Sequence, residues 1–380
     1  MSPTLNLPPY SGSIVNVSII HGGCLQGSTT FFTQTPVVGH DAWVDIPSHS
    51  FLVENDRTGK KLLFDLGLIK AWREKHSPVG EYHFQNTIWY SSGAYNIILA
   101  AKLIAAVGLT IDITRDVADH LHDASVSLDS INSIIWSHYH FDHTGDPSLF
   151  PSTTSLIVGP GFKSNPQTYP GYPLNPEALV SQDAFEGREV LELEFNSNLE
   201  IGGFKALDFF GDGSFYLLQA SGHTHDHICG LARTSEDKFI FLGGDAAHHN
   251  GLFRPTPLLP LPESISPSPF EGLRIPSFCP GSIFEHIHPA TMQGGEDYRT
   301  TPFYKLNPHL AESLEEANTT LEKIQVFDAS PDVFVMIAHD IPAQAILPYF
   351  PGKLNGWEMK GYKELNTWRF LGDFKKALEM

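Results

Sequence analysis

The run Ser137-His138-Tyr139-His140-Phe141-Asp142-His143-Thr144-Gly145-Asp146 decides how this chain is read. It follows directly on Ile131–Trp136 (INSIIW), an apolar stretch that reads as a buried strand. Three histidines and an aspartate within six residues bring nitrogen and oxygen donors to one point at a strand end. Imidazole and carboxylate are the ligand types of Zn²⁺ and related divalent ions. His138 and His140 are two apart, so an extended loop turns both to one side. Asp142 and His143 are adjacent and must diverge, which suits two metals better than one.

Further donors stand at other strand ends. Phe215–Ala220 runs into Ser221-Gly222-His223-Thr224-His225, and Ile228–Ala232 follows it. Lys238–Leu242 ends in Gly243-Gly244-Asp245, and Pro331–Ile337 (PDVFVMI) ends in Ala338-His339-Asp340. Each alone is a weak signal, because a single histidine after a strand is more often a capping or core residue. Taken together, His138, His140, Asp142, His143, His223, Asp245 and His339 supply seven ligands, enough for two metals sharing a bridging water. In α/β architectures sites form where strand ends converge.

The rest of the chain frames that site. Ser13–Ile20, Ser50–Val53 and Leu62–Asp65 read as strands, with Asn55–Lys60 as a polar turn between the last two. Helical periodicity appears in Tyr95–Val107 and around Arg115–His122. From Leu252 to Pro308 the chain is dense in Pro and Ser without clear periodicity. This segment is expected to be an insertion within a single domain spanning residues 1–380, placed to act as a lid.

Composition excludes several classes of partner. With 24 basic and 43 acidic side chains the formal charge is −19, which repels a phosphate backbone and anionic membranes. The most apolar stretch, Ala94–Leu109, is short of the ~20 residues a bilayer span needs. Only three cysteines are present (Cys24, Cys229, Cys279), far apart and odd in number, which suits a reducing compartment. Met1–Pro9 has neither a basic nor an apolar leader region, and the expectation is a cytoplasmic protein.

The ordered set H-x-H-x-D-H, then separate His, Asp and His, resembles the metallo-β-lactamase-fold hydrolases. The resemblance runs from about Ser13 to Asp340 and includes Leu62-Leu63-Phe64-Asp65-Leu66-Gly67 ahead of the first ligand loop. It implies an αββα sandwich with the metal site at strand ends. It assigns His138, His140 and His223 to one metal, Asp142, His143 and His339 to the other, and Asp245 to both. Within that superfamily the S-H-x-H-F-D-H-x-G form and the final A-H-D look like the N-acyl-homoserine lactonases. Those lactonases carry Tyr three residues after the bridging Asp; here the position is His248.

The function this implies is opening of a small cyclic ester by a hydroxide bridging two cations, with Zn²⁺ expected and Mn²⁺, Co²⁺ or Fe²⁺ compatible. Asp142 and Asp245 are candidates for moving the water's proton, and His248 for donating to the oxyanion. A cyclic amide or carbamate, such as a γ-lactam or benzoxazolinone-like compound, is the alternative. A departing nitrogen needs a proton more than an alkoxide does, and His248 raises those odds. Thioester hydrolysis is a third reading, set back by the shortage of cationic residues. His227 reads as a residue that orients a ligand, and His286 and His288 as pocket or surface residues. Cys24 and Cys229 read as small buried hydrophobes. Phe84, Trp89 and Tyr90 read as core packing, or as the walls of an apolar channel.

Overall fold

The computed structural model describes residues 5–28, 32–34, 43–70, 110–270, 278–294 and 296–378. Two sheets form its centre. The first joins β1 (Val15–Ser28), β2 (Trp43–Asn55), β3 (Lys61–Phe64), β4 (Thr110–Asp112), β5 (Ser133–Ile135), β6 (Ser155–Val158) and β7 (Val190–Glu192) in the order β4-β1-β2-β3-β5-β6-β7. The second joins β8 (Glu200–Ile201), β9 (Phe204–Asp208), β10 (Phe215–Gln219), β11 (Ile228–Arg233), β12 (Phe239–Leu242) and β15 (Val333–Met336) in the order β15-β12-β11-β10-β9-β8. A small pair, β13 (Ser264–Ile265) and β14 (Cys279–Pro280), lies between β12 and β15 in sequence.

The alternation of side chains along each strand dictates the layering. Val17, Ile19, Phe51, Val53, Leu62, Phe64 and Ile135 of the first sheet meet Phe215, Leu217, Ile228, Ile240, Leu242, Phe334 and Met336 of the second. The intervening residues Ile20, Leu52, Leu63, Ile134 and Leu156 point outward onto α1 (Val117–Asp123), through Val117, Ala118 and Leu121. On the far side, Phe204, Leu231, Phe239, Phe241 and Val335 pack on α2 (Leu314–Ala329), through Ala317, Leu321, Ile324 and Phe327. The result is the expected αββα sandwich. Because central strands are covered on both faces, they read as unbroken apolar runs rather than alternating ones.

Residues 252–308 belong to that outer layer. Phe253, Leu261, Ile265, Phe270, Cys279, Phe284 and Phe303 are buried in one cluster with β9–β12, α2 and the C-terminal Phe370 and Phe374. The described part of the segment thus contributes these side chains to the core. Its end reaches the mouth of the sandwich, where Lys305 accepts the backbone N–H of Gln34. The sequence-expected helix Tyr95–Val107 and the Phe84, Trp89 and Tyr90 group lie outside the described residues. No helix among the described residues is long and apolar enough to cross a membrane.

The first sheet delivers its loop through a close backbone approach. Gly67 has φ +66°, and a Cβ there would stand 2.3 Å from the Gly22 carbonyl oxygen. Gly22 lies in the irregularity of β1 between His21 and Cys24. Only glycine permits this contact, which seats the loop after β3 against β1.

Candidate metal centre

The ligand loop leaves β5 and turns into one helical turn, Phe141–Thr144, entered from the extended residue His140. Asp65, at the end of β3, fixes its start: the carboxylate accepts Ser137 N–H at 2.6 Å, the Ser137 hydroxyl at 2.8 Å and His143 Nδ1–H at 2.9 Å. The loops after β10, β12 and β15 bring His223, Asp245 and His339 to the same place. Donor atoms of His138, His140, His223 and Asp245 lie within 4.8 Å of one another, as do those of Asp142, His143, His339 and Asp245. All seven residues expected from the sequence therefore converge, and Asp245 is shared by both groups.

Asp245 divides its oxygens between the groups. Oδ1 stands 3.2 Å from His143 Nε2 and 3.2 Å from His339 Nε2. Oδ2 stands 3.5 Å from His223 Nε2 and 3.8 Å from His138 Nε2. His223 Nε2 also meets His140 Nδ1 at 2.9 Å and His138 Nε2 at 3.2 Å. Asp142 Oδ2 lies 3.6 Å from His143 Nε2 and 3.5 Å from His339 Nε2.

The other ring nitrogens explain why these lone pairs point inward. The Ser137 hydroxyl spends its proton on Asp65, so His138 Nδ1 is the donor in their 3.0 Å contact. His143 Nδ1 donates to Asp65, His223 Nδ1 to the Leu310 carbonyl at 2.7 Å, and His339 Nδ1 to the Pro47 carbonyl at 2.7 Å. Each Nε2 is left as an acceptor facing the centre, the arrangement typical of metal-binding histidines. His143 Nε2 and Asp245 Oδ1 are buried and have no hydrogen-bond partner. Buried polar atoms are almost always paired, so a cation is what this donor set fits.

Electrostatics agree with that fit. Burial, reinforced by neighbouring imidazoles, holds His138 and His223 well below the usual histidine range. Burial opposes a charge on His143 too, but the Asp245, Asp142 and Asp65 carboxylates outweigh it and lift His143 well above that range. Asp245 is driven well below the carboxylate range because His143, His339 and His248 outweigh the cost of burying its charge. Without cations the carboxylates must be balanced by protons on imidazoles, which metal binding would displace.

Residues around the centre have distinct duties. His227 accepts the Asp245 backbone N–H at 3.0 Å, the orienting place expected from the sequence. His248 is buried with Nε2 3.3 Å from Asp245 Oδ2. Phe32 covers one side, its ring 5.6 Å from that of His248 and 5.5 Å from that of His339. His288 caps the short helix Pro289–Gln293, accepting Ala290 N–H at 3.1 Å, and takes no part in the centre. The cysteines are free and buried, and burial pushes the Cys24 thiol up to about 12.

Sequence reasoning missed Glu312 and Asp340. Glu312 accepts the Tyr139 hydroxyl at 2.5 Å and the His225 N–H at 2.6 Å, tying two ligand loops together. Asp340 accepts Asn250 and Asn366 side-chain amides at 2.8 and 2.7 Å, bracing the loop behind His248. The signal for Asp340 was its place beside His339; Glu312 had none.

Comparison with known proteins follows the same line, although no family model matches the chain. It is 37% identical to the γ-lactamase FDB1 of Fusarium pseudograminearum, over 96% of this chain and 84% of that one. It is 37% identical to the metallo-hydrolase mfmC of Annulohypoxylon moriforme, over 99% and 91%. The γ-lactamase MBL2 of Gibberella moniliformis is 52% identical over 235 residues, 60% of this chain and 87% of that one. Among solved structures, an N-acyl homoserine lactone hydrolase with product at its catalytic metal centre superposes with TM-score 0.54 at 14% identity, over 90% of this chain and 99% of that one. That likeness shows the fold. The chain thus belongs, with FDB1 and mfmC, to the metallo-β-lactamase-fold hydrolases, and is a metal-dependent hydrolase.

Proposed function

We propose that the chain opens small rings at an acyl carbon, with a cyclic ester as substrate and Zn²⁺ as the metal. In this reading His138, His140 and His223 would hold one ion and Asp142, His143 and His339 the other, with Asp245 available to both. When bound, the two ions would supply Lewis acidity towards the carbonyl oxygen and a water of lowered pKa. The reading is carried by one observation: Asp245 turns Oδ1 to one donor group and Oδ2 to the other.

The chain's own residues supply the rest. Asp65 and Ser137 fix the ligand loop, and His227 fixes the Asp245 backbone. Phe32, beside His248 and His339, shields the reacting carbon from bulk water. Asp142 Oδ2 is placed to hold the proton released by water and return it to the leaving atom. We further propose that the protein is one cytoplasmic domain whose ligand is a small molecule. In it, the insertion at residues 252–308 influences substrate choice through its end at Lys305, which accepts the Gln34 N–H beside the centre.

A cyclic amide is the second reading, and a specific observation favours it. Two relatives at 37% and 52% identity are named γ-lactamases, and His248 stands beside the bridging carboxylate. In that reaction water's oxygen joins the acyl carbon, the ring C–N bond breaks, and a proton goes to nitrogen. Hydrolysis rates of zinc-loaded protein on matched γ-lactones and γ-lactams test the proposal. Turnover of γ-lactones supports the first reading and turnover of γ-lactams alone the second; inactivity on both, with two metals bound, refutes ring opening altogether.

A further inference from the structure

The two donor groups are held by different parts of the chain. In the group of Asp142, His143 and His339, the outer ring nitrogens rest on the first sheet. His143 Nδ1 meets Asp65 just past β3, and His339 Nδ1 meets the Pro47 carbonyl of β2. In the group of His138, His140 and His223, His138 is tied to the same sheet through Ser137. His223 is gripped instead by residues 310–313, between the insertion and α2. Its Nδ1 meets the Leu310 carbonyl at 2.7 Å and its own carbonyl accepts Glu312 N–H at 3.0 Å. The neighbouring Gly222 carbonyl accepts Ser313 N–H at 3.0 Å.

His140 has a different dependence. It meets His223 Nε2 through Nδ1 at 2.9 Å, and no protein oxygen among the described residues holds its other nitrogen. Nδ1 is bonded to the ring carbon that joins the main chain, so its position follows the backbone at residues 139–141. That backbone is pinned at Tyr139. Tyr139 is buried, and its hydroxyl donates to Glu312 Oε1 at 2.5 Å, while Glu312 Oε2 accepts His225 N–H at 2.6 Å. One carboxylate thus joins the loop of His140 to the loop of His223, through hydrogen bonds of the strong, charge-assisted kind. Helix α2 backs this junction: Ser313 caps it, and its Thr320 hydroxyl donates to the Ser221 carbonyl at 2.9 Å.

We propose that Glu312 is a positioning residue for one ion alone, the one that His138, His140 and His223 would hold, acting through Tyr139 and His225. This rests on the paired-metal reading above and makes one half of the pair depend on the segment after the insertion. Without the carboxylate the two loops move independently, His140 and His223 lose their fixed spacing, and that ion is bound more weakly. The other ion, held from the first sheet, keeps its affinity.

The test measures zinc affinity by competition with a chromogenic chelator, in two backgrounds that isolate the ions. Asp142→Ala leaves the His138, His140 and His223 group complete; His140→Ala leaves the other group complete. Glu312→Ala should weaken zinc about 10–100-fold in the Asp142→Ala background and leave it unchanged in the His140→Ala background. Glu312→Gln keeps one acceptor oxygen and should recover part of the loss. Tyr139→Phe should weaken the same ion, and combined with Glu312→Ala it should weaken it no further. Equal weakening in both backgrounds overturns the proposal by making Glu312 a support of the whole fold. Unchanged affinity in the Asp142→Ala background overturns it too, as does a full further loss from Tyr139→Phe on top of Glu312→Ala. Those results leave the paired-metal reading intact. Wild type that takes up no more than one zinc ion sinks that reading and the proposal together.

Discussion

His227 accepts the backbone N–H of Asp245 at 3.0 Å, so the carboxylate shared by both donor groups is held by a histidine outside them. The turn that permits this contact belongs to Gly244, at φ +51°, where a Cβ would lie 2.9 Å from His227 Nε2. Removing the acceptor leaves a buried N–H unpaired and frees Asp245 to tilt. His227→Ala is expected to lower metal affinity about 10–100-fold, measured by competition with a chromogenic chelator. Unchanged affinity would show that the contact does not position Asp245.

Asp65 satisfies three donors, two from Ser137 and one from His143. Asp65→Ala should therefore destabilise the fold by about 3–5 kcal/mol, the usual effect of stripping one partner from a buried charged network. It should weaken metal retention less than Asp245→Ala, because it touches only one ligand directly. Denaturant unfolding beside metal analysis checks both parts, and equal metal loss in the two variants would contradict the ordering.

Behind the centre, Arg254 forms a bidentate pair with Asp328, at 2.7 and 2.6 Å, and donates to the Thr367 carbonyl at 2.9 Å. Both side chains are fully buried. Asp328→Ala is expected to cost about 3–5 kcal/mol by leaving the guanidinium uncompensated. Replacing both residues by apolar ones should cost less than the single change. A double variant less stable than Asp328→Ala would contradict this.

His288 gives a pH signature. Burial pushes its pKa down from 6.5 to about 4, and Nδ1 must stay unprotonated to cap its helix. The unfolded chain binds the proton more readily between those values, so stability should fall as pH drops from 6.5 to 4. Roughly 3 kcal/mol is the ceiling for this one group. His288→Asn keeps a capping acceptor without titrating there. The stability difference between wild type and variant should shift across that window; a constant difference would contradict the assignment.

The ligand set was legible because four of its members fall within six residues at one strand end and the others follow largely apolar strands. Ile134 and Ile135, or Phe239–Leu242, read plainly as strands because both faces are covered. What holds the ligands was not legible. The Leu310 and Pro47 carbonyls that orient His223 and His339 come from backbone, and backbone acceptors leave no mark in side-chain pattern. The packing of Phe253, Phe284 and Phe303 was hidden because irregular segments bury apolar residues without a period.

A paired metal centre bridged by Asp245 is tested most directly by elemental analysis of wild type and Asp245→Ala. Wild type should carry two divalent ions per chain, and a chelator should abolish hydrolysis until metal is returned. Asp245→Ala should stay folded, keep at most one ion and lose nearly all turnover. Active wild-type protein without metal, or Asp245→Ala with two ions and near-wild-type rates, would contradict the account.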